Sequence, residues 1–232
     1  GDNTTDSHSI RTDPEASSAG TLAASHSNII ESCVSYVHDG PSYDINTALG
    51  NTITNCSSSI KTNRFDDSLT EAPAFQLKTS GVDTDEKADA TRVNTFTNCS
   101  ATNEAKGFYS QQADGGVISA CTFDNIYSRK PGDSADGSYA GGVGIHIVGD
   151  NFRVSDCQIN NFNQPTGGLI AVGIKLGLAS STSSSRNGFN NISMRYASDT
   201  AKAIVLEENS GNNSFSNIMM YPESASVTPI AQ

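Results

Sequence analysis

Three groups of side chains have the types and spacing to do chemistry. Asp66, Asp67 and Glu71 fall within one long polar stretch, and Asp133 and Asp136 within a second. Two carboxylates held about 5 to 9.5 Å apart carry out glycosidic hydrolysis, one protonating the leaving group and the other acting as base or nucleophile. His146 and Lys175 form a second group, each at the same place in a recurring phrase, G-I-H-I and G-I-K-L. A base beside a cation that stabilises enolate-like charge is the equipment of an elimination reaction. Tyr127, Arg129, Lys130 and Tyr139 lie on the stretch before His146 and belong with that group. The third group is aromatic: Phe65, Tyr127, Tyr139 and Phe162, with Asn63, Arg64, Asn160 and Gln164 nearby, have the make-up of a platform flanked by hydrogen-bonding groups. Each group also has a plainer reading, because surface Asp, His and Lys are common and loop aromatics often fold a loop back on its scaffold.

The elements that must position these residues are legible in a repeat. A phrase returns seven times: NIIESC from Asn28, NTITNC from Asn51, NTFTNC from Asn94, GVISAC from Gly116, FRVSDC from Phe152, NGFNNI from Asn187 and NSFSNI from Asn213. Repeats of this length are the grammar of a solenoid. Ile30, Ile53, Phe96, Ile118, Val154, Phe189 and Phe215 are predicted to point inward, one above another. Ser32, Asn55, Asn98, Ala120, Asp156, Asn191 and Asn217 occupy a turn slot. Asn is the side chain that best tolerates a left-handed bend there, and stacked amides can bond to one another. Cys33, Cys56, Cys99, Cys121 and Cys157 then fill one small inward slot, never closer than 22 residues in sequence. That spacing favours core packing over a metal site or disulfides.

A second phrase, a small residue followed by alternating apolar positions, recurs around Ile45, Phe75, Phe108, Ile145, Ile174 and Ile204. Alternation at period two marks a strand, and each copy of the repeat therefore supplies at least two. Strands that recur in one sense pair in parallel. The predicted fold is all-β, a right-handed parallel β-helix of about seven rungs with loop insertions. Residues 28–220 form the β-helix, residues 1–27 an irregular N-terminal rung, cap or linker, and residues 221–232 a C-terminal tail.

The net charge of −11 and pI near 4.6 leave no phosphate-neutralising surface, which excludes nucleic acid as a partner. No stretch has the length and apolarity of a membrane span, and the first residues lack the basic and apolar regions of a secretion signal. Unpaired cysteines suit a chain folded in a reducing compartment. Nothing in the spacing asks for a cofactor or metal.

The N-x-[IF]-x-[ND]-[CI] and [GA]-[IF]-x-[IL] phrases, over roughly residues 28–220, resemble the pectin-lyase-like superfamily of parallel β-helices. That superfamily includes polysaccharide lyases, glycosidases, epimerases and bacteriophage tailspikes. The resemblance implies a carbohydrate-directed protein, most like a tailspike that recognises and cleaves a bacterial surface polysaccharide. It further implies a homo-oligomer, a trimer, or the remainder of a longer chain, placed in a virion or outside the cell. A D-P-H-D signature, G-H-G with a downstream R-I-K, and a calcium-binding Asp array are all missing. The chemistry, glycoside hydrolase or polysaccharide lyase, is therefore left open. A secreted lyase or epimerase and a non-catalytic structural or adhesive fibre segment stand as alternatives. In these terms Asp66, Asp67, Asp133, Asp136, His146 and Lys175 are the catalytic candidates, and Arg64, Phe65, Tyr127, Arg129, Tyr139, Phe162 and Gln164 the substrate-binding ones.

Overall fold

A computed structural model describes residues 10–12, 15–16, 22–23, 25–36, 41–46, 48–59, 73–78, 93–126, 142–162, 170–178, 184–196, 201–208 and 210–222. These residues are strands, turns and bends, with no helix among them. Seventeen of the strands join one sheet, and every pairing within it is parallel.

The strands fall into three columns. The first runs through Ile29–Glu31, Thr52–Thr54, Asn94–Thr97, the later parts of Lys106–Ser119 and Val143–Ser155, and the early parts of Gly188–Tyr196 and Ser214–Pro222. Its register places Ile30, Ile53, Phe96, Ile118, Val154, Phe189 and Phe215 opposite one another in sequence order, which is the predicted inward stack. All seven turn-slot residues have φ between 52° and 56°, from Ser32 through Asn217. A left-handed bend costs an amide side chain less than most, and here the amides also bond up the column. Asn98 Nδ2 donates to Asn55 Oδ1 at 2.6 Å, Asn191 Nδ2 to Asp156 Oδ1 at 2.6 Å, and Asn217 Nδ2 to Asn191 Oδ1 at 2.9 Å.

Immediately after the Cys slot comes a second column, Val34–Ser35, Ser57–Ser59, Ser100–Thr102, Thr122–Asp124 and Gln158–Phe162, continued by the ends of the last two strands. Ser58, Ala101, Phe123, Ile159 and Met194 align on its inner side, all buried. A further left-handed bend follows at Asn103, Asn125 and Asn161. The second phrase makes the third column: Tyr43–Asn46, Pro73–Lys78, the early parts of Lys106–Ser119 and Val143–Ser155, Val172–Leu176 and Lys202–Leu206.

Strand pairing runs across residues 28 and 220 at the two ends of the sheet. Ile10–Thr12 pairs in parallel with Tyr43–Ile45, and Ser25–His26 with Ala48–Leu49, so part of the segment before residue 28 extends the stack. The last strand crosses residue 220, because Tyr221 and Pro222 still align with Arg195 and Tyr196.

The five cysteines are free, and all but Cys33 are buried in the core. Each buried thiol donates to the carbonyl two residues earlier, as from Cys56 to Thr54 at 3.3 Å and from Cys157 to Ser155 at 3.2 Å. Its contact with the Cys157 thiol, together with burial, pushes the Cys121 thiol up to about 12, and contact with Cys121 and burial raise Cys99 as well. Thiolate is the reactive form, so Cys99 and Cys121 are packing groups. With the protein native, a thiol reagent followed by mass spectrometry is expected to modify Cys33 first and to leave Cys99 and Cys121 untouched until denaturant is added. Rapid native labelling at Cys99 or Cys121 contradicts the packing role.

Candidate functional site

Arg64, Phe65, Asp66, Asp67, Tyr127, Arg129, Asp133, Asp136, Tyr139 and Gln164 lie outside the described residues. His146, Lys175 and Phe162 lie within them.

His146 and Lys175 are register partners on neighbouring strands, as the common offset in their phrases predicts. They belong to a row on the outer side of the third column that reads Asp44, Gln76, Tyr109, His146, Lys175, Val205. The row is not open to solvent: His146 is 3% exposed and Lys175 2%. Val143, Val172 and Val205 pack with Ile170 on the same outer side and form a second apolar cluster. The charges in this setting are matched. Lys175 Nζ lies 3.3 Å from Glu207 Oε1 and Lys78 Nζ 2.9 Å from Asp44 Oδ2. The His146 ring lies 4.9 Å from that of Tyr109, over which Lys106 Nζ sits at 5.2 Å. His146 Nε2 is 3.0 Å from the Gly177 carbonyl and donates to it, while Nδ1 has no hydrogen-bond partner among the described residues.

Burial, with the positive charge of Lys175 second, lowers the His146 pKa to about 3. The imidazole is thus neutral in the folded protein, while the unfolded chain takes up a proton near the ordinary histidine value of about 6.5. The unfolded state binds more protons between these limits, so this contribution to stability is complete above about pH 6.5 and is lost as pH falls toward 3. From pH 7 to pH 5 the loss attributable to His146 is about 2 kcal/mol. His146→Gln is expected to flatten the fall in urea midpoint over that range. An unchanged slope shows that His146 is not the group responsible.

Phe162 is corrected in placement. It closes the strand Gln158–Phe162, is fully buried, and packs 5.3 Å from Tyr196 at a 36° tilt. The reason is local: Asn161 bends at φ 50°, and the residue after such a bend turns inward, as Ile126 does after Asn125. Phe162 therefore offers no face to a ligand.

Sequence reasoning passed over the outer side of the first column, which is open. A groove of about 440 Å³ is lined by Val93, Asp114, Gly115, Gly116, Asn151 and Arg153 together with Val117. A second depression of about 250 Å³ adjoins it, with Arg153, Ser155, Gly188, Asn190, Ser214 and Ser216 among its lining residues. Arg153 belongs to both. Its register neighbours on that outward row are Val117 and Gly188, with Thr95 and Ser214 beyond them, so it is the one charge in the row. Its guanidinium is held by one nitrogen: Nη1 lies 3.2 Å from the Arg186 carbonyl and 3.5 Å from that of Phe152. A Cβ at Gly188 would stand 3.3 Å from Nη1, so the glycine leaves the space in which the guanidinium lies. At the other end, Asn151 Nδ2 donates to Asp114 Oδ1 at 2.5 Å, and Ser216 Oγ donates to Asn190 Oδ1 at 3.0 Å on the near side. Hydroxyl, amide, carboxylate and guanidinium groups thus follow one another along the stack. Such a lining can exchange hydrogen bonds with a ligand rich in hydroxyl groups.

The signal for this site was Arg153 itself, a charge in a slot that other copies fill with Ile, Thr, Val, Gly or Ser. No family model matches this chain, and comparison with curated proteins finds no match.

Proposed function

We propose that the three columns are the faces of a right-handed parallel β-helix of about seven rungs, and that the protein is carbohydrate-directed, recognising a bacterial surface polysaccharide in the manner of a phage tailspike. The observation that supports this reading is the pair of adjoining grooves along the outer side of the first column, where Asp114, Asn151 and Arg153 in one and Asn190, Ser214 and Ser216 in the other stand among glycines and apolar residues. An extended polymer of rings with apolar faces and hydroxylated edges suits an open surface of mixed lining better than a compact ligand does. In this reading the protein acts in a virion or outside the cell, and assembles as a trimer or with the rest of a longer chain. The burial and ion pairing of Lys175 favour recognition over elimination chemistry at the His146 row. Hydrolysis, where it accompanies recognition, falls to the carboxylates Asp66, Asp67, Asp133 and Asp136.

The test is binding to an array of bacterial polysaccharides, with product analysis and light scattering on the same sample. Retention of one class of glycan by a trimer supports the proposal. A monomer that retains no glycan sinks it and leaves a structural fibre segment. Replacing one of the four aspartates by Asn is expected to abolish product release while leaving retention intact.

A further inference from the structure

We infer that the groove reads an anionic sugar, one bearing a carboxylate or a phosphate, through the guanidinium of Arg153. The inference rests on the proposed glycan recognition and names its ligand class.

Among the described cations, Lys78, Lys175 and Arg186 each face a carboxylate, at 2.9, 3.3 and 2.9 Å. Lys106 and Arg195 each lie over a tyrosine ring, at 5.2 and 5.7 Å, and Lys202 is engaged as well. Among the described residues Arg153 has neither, although the chain carries a net charge of −11. Only its Nη1 is engaged, by backbone carbonyls, and among the described residues Nε and Nη2 meet no acceptor. The guanidinium is therefore held in place with part of its donor fork unused. Planar anions with two oxygens match such a fork, and the bonds formed are roughly twice as strong as neutral ones.

The position agrees. Arg153 stands where the two depressions meet, so a bound chain passing along the stack must cross it. The nearby Arg186 is committed to Asp150 Oδ2 at 2.9 Å and to Asn151 Oδ1 at 3.0 Å, and does not compete. Asp114, at the far end of the larger groove, can accept sugar hydroxyls but repels an anion, which fixes the charged substituent at the Arg153 end.

The experiment uses the whole chain on an array holding uronate-bearing, phosphate-bearing and neutral bacterial polysaccharides. In parallel the Arg153 Nε–H resonance is followed during titration with methyl β-glucuronide, methyl phosphate and methyl β-glucoside. The expected result is retention of charged polymers and a shift of Arg153 with an anionic probe but not with the neutral glycoside. Which anionic probe acts distinguishes carboxylate from phosphate. Arg153→Gln is expected to weaken retention about 10- to 100-fold, and Arg153→Lys to lose a smaller part, since charge survives and the fork does not. Because Arg153 is exposed, the circular dichroism of both variants should match that of the parent. Retention of neutral polymers alone, or an Arg153→Gln protein that binds as before, overturns this inference and leaves glycan recognition standing. Retention of nothing overturns both.

Discussion

Gly144→Ala is expected to cost about 3 kcal/mol of stability, a large part of what a domain has to lose. A Cβ at residue 144 would stand 2.7 Å from the Gly173 carbonyl oxygen, and closer still to Ile159 Cγ2. Neither neighbour can give way freely. The carbonyl belongs to the next strand of the third column, and Ile159 is a fully buried residue of the second. Gly107 and Gly173 are in the same position, the first against Phe123 and the Gly144 carbonyl, the second against Met194 Sδ at 2.6 Å and the Ala203 carbonyl at 2.7 Å. The small residue that opens the second phrase is thus set by lack of room. The measurement is a urea midpoint for Gly144→Ala alone and combined with Ile159→Ala. The second change removes the side-chain clash but not the carbonyl contact, so it should recover only part of what the first loses beyond its own cavity cost. A Gly144→Ala protein within about 0.5 kcal/mol of the parent would show that the column has slack there.

The same packing explains which columns were legible in the sequence. In the first phrase an inward apolar residue, a bend and a small buried residue lie within six positions, and each is constrained by residue type. In the third column the small residue and the alternation give a second signature. The second column has no such regularity, because its inward residues share the interior volume with the third. Phe123 fills the space left by Gly107, Ile159 that left by Gly144, and Met194 that left by Gly173. Residue size there follows the partner across the interior, and a pattern read along one strand cannot show it. Only the recurrence of Asn103, Asn125 and Asn161 four residues after a cysteine marks the column's end.

The candidate site divides along similar lines. That His146 and Lys175 are neighbours follows from register, which a repeat encodes directly. Their burial depends on what packs against the outer side of a strand, and alternation within the strand distinguishes only inner from outer. Phe162 was read as a loop aromatic because the bend at Asn161 was not matched with those at Asn103 and Asn125. Arg153 is visible in sequence as a misfit charge. Its meaning arises from Gly188 beside it and from the Arg186 carbonyl at the bend before the next strand, relations between copies of the repeat.

Asn187 shows how the two kinds of information combine, and Asn187→Ala is expected to lower stability by about 3 kcal/mol. The asparagine that opens the first phrase is buried, 1% exposed at residue 187 and fully buried at Asn51 and Asn94. Where copies follow without interruption, the amides bond up the column: Asn28 Nδ2 donates to Asn51 Oδ1 at 2.9 Å, and Asn51 Nδ2 to Asn94 Oδ1 at 3.1 Å. Gly116 and Phe152 break that series, and a Cβ at residue 116 would come 2.7 Å from the Phe152 ring. Asn187 resumes it with a different task. Its Oδ1 accepts from Phe152 N–H at 2.8 Å, and its Nδ2 donates to the Gly149 carbonyl at 3.0 Å and to Ser184 Oγ at 3.1 Å. Alanine would leave the Phe152 amide buried without its partner, at a cost of about 1 to 3 kcal/mol, and would take one of two bonds from the Gly149 carbonyl, which keeps the Ser184 hydroxyl at 3.0 Å. Asn28, at the exposed start of the series, has water as a substitute, and Asn28→Ala is expected to cost under about 1 kcal/mol. Urea midpoints of the two variants decide the matter. Equal losses would mean that the asparagine acts as a spacer common to every copy, whereas a threefold difference locates its effect in the buried backbone groups it satisfies.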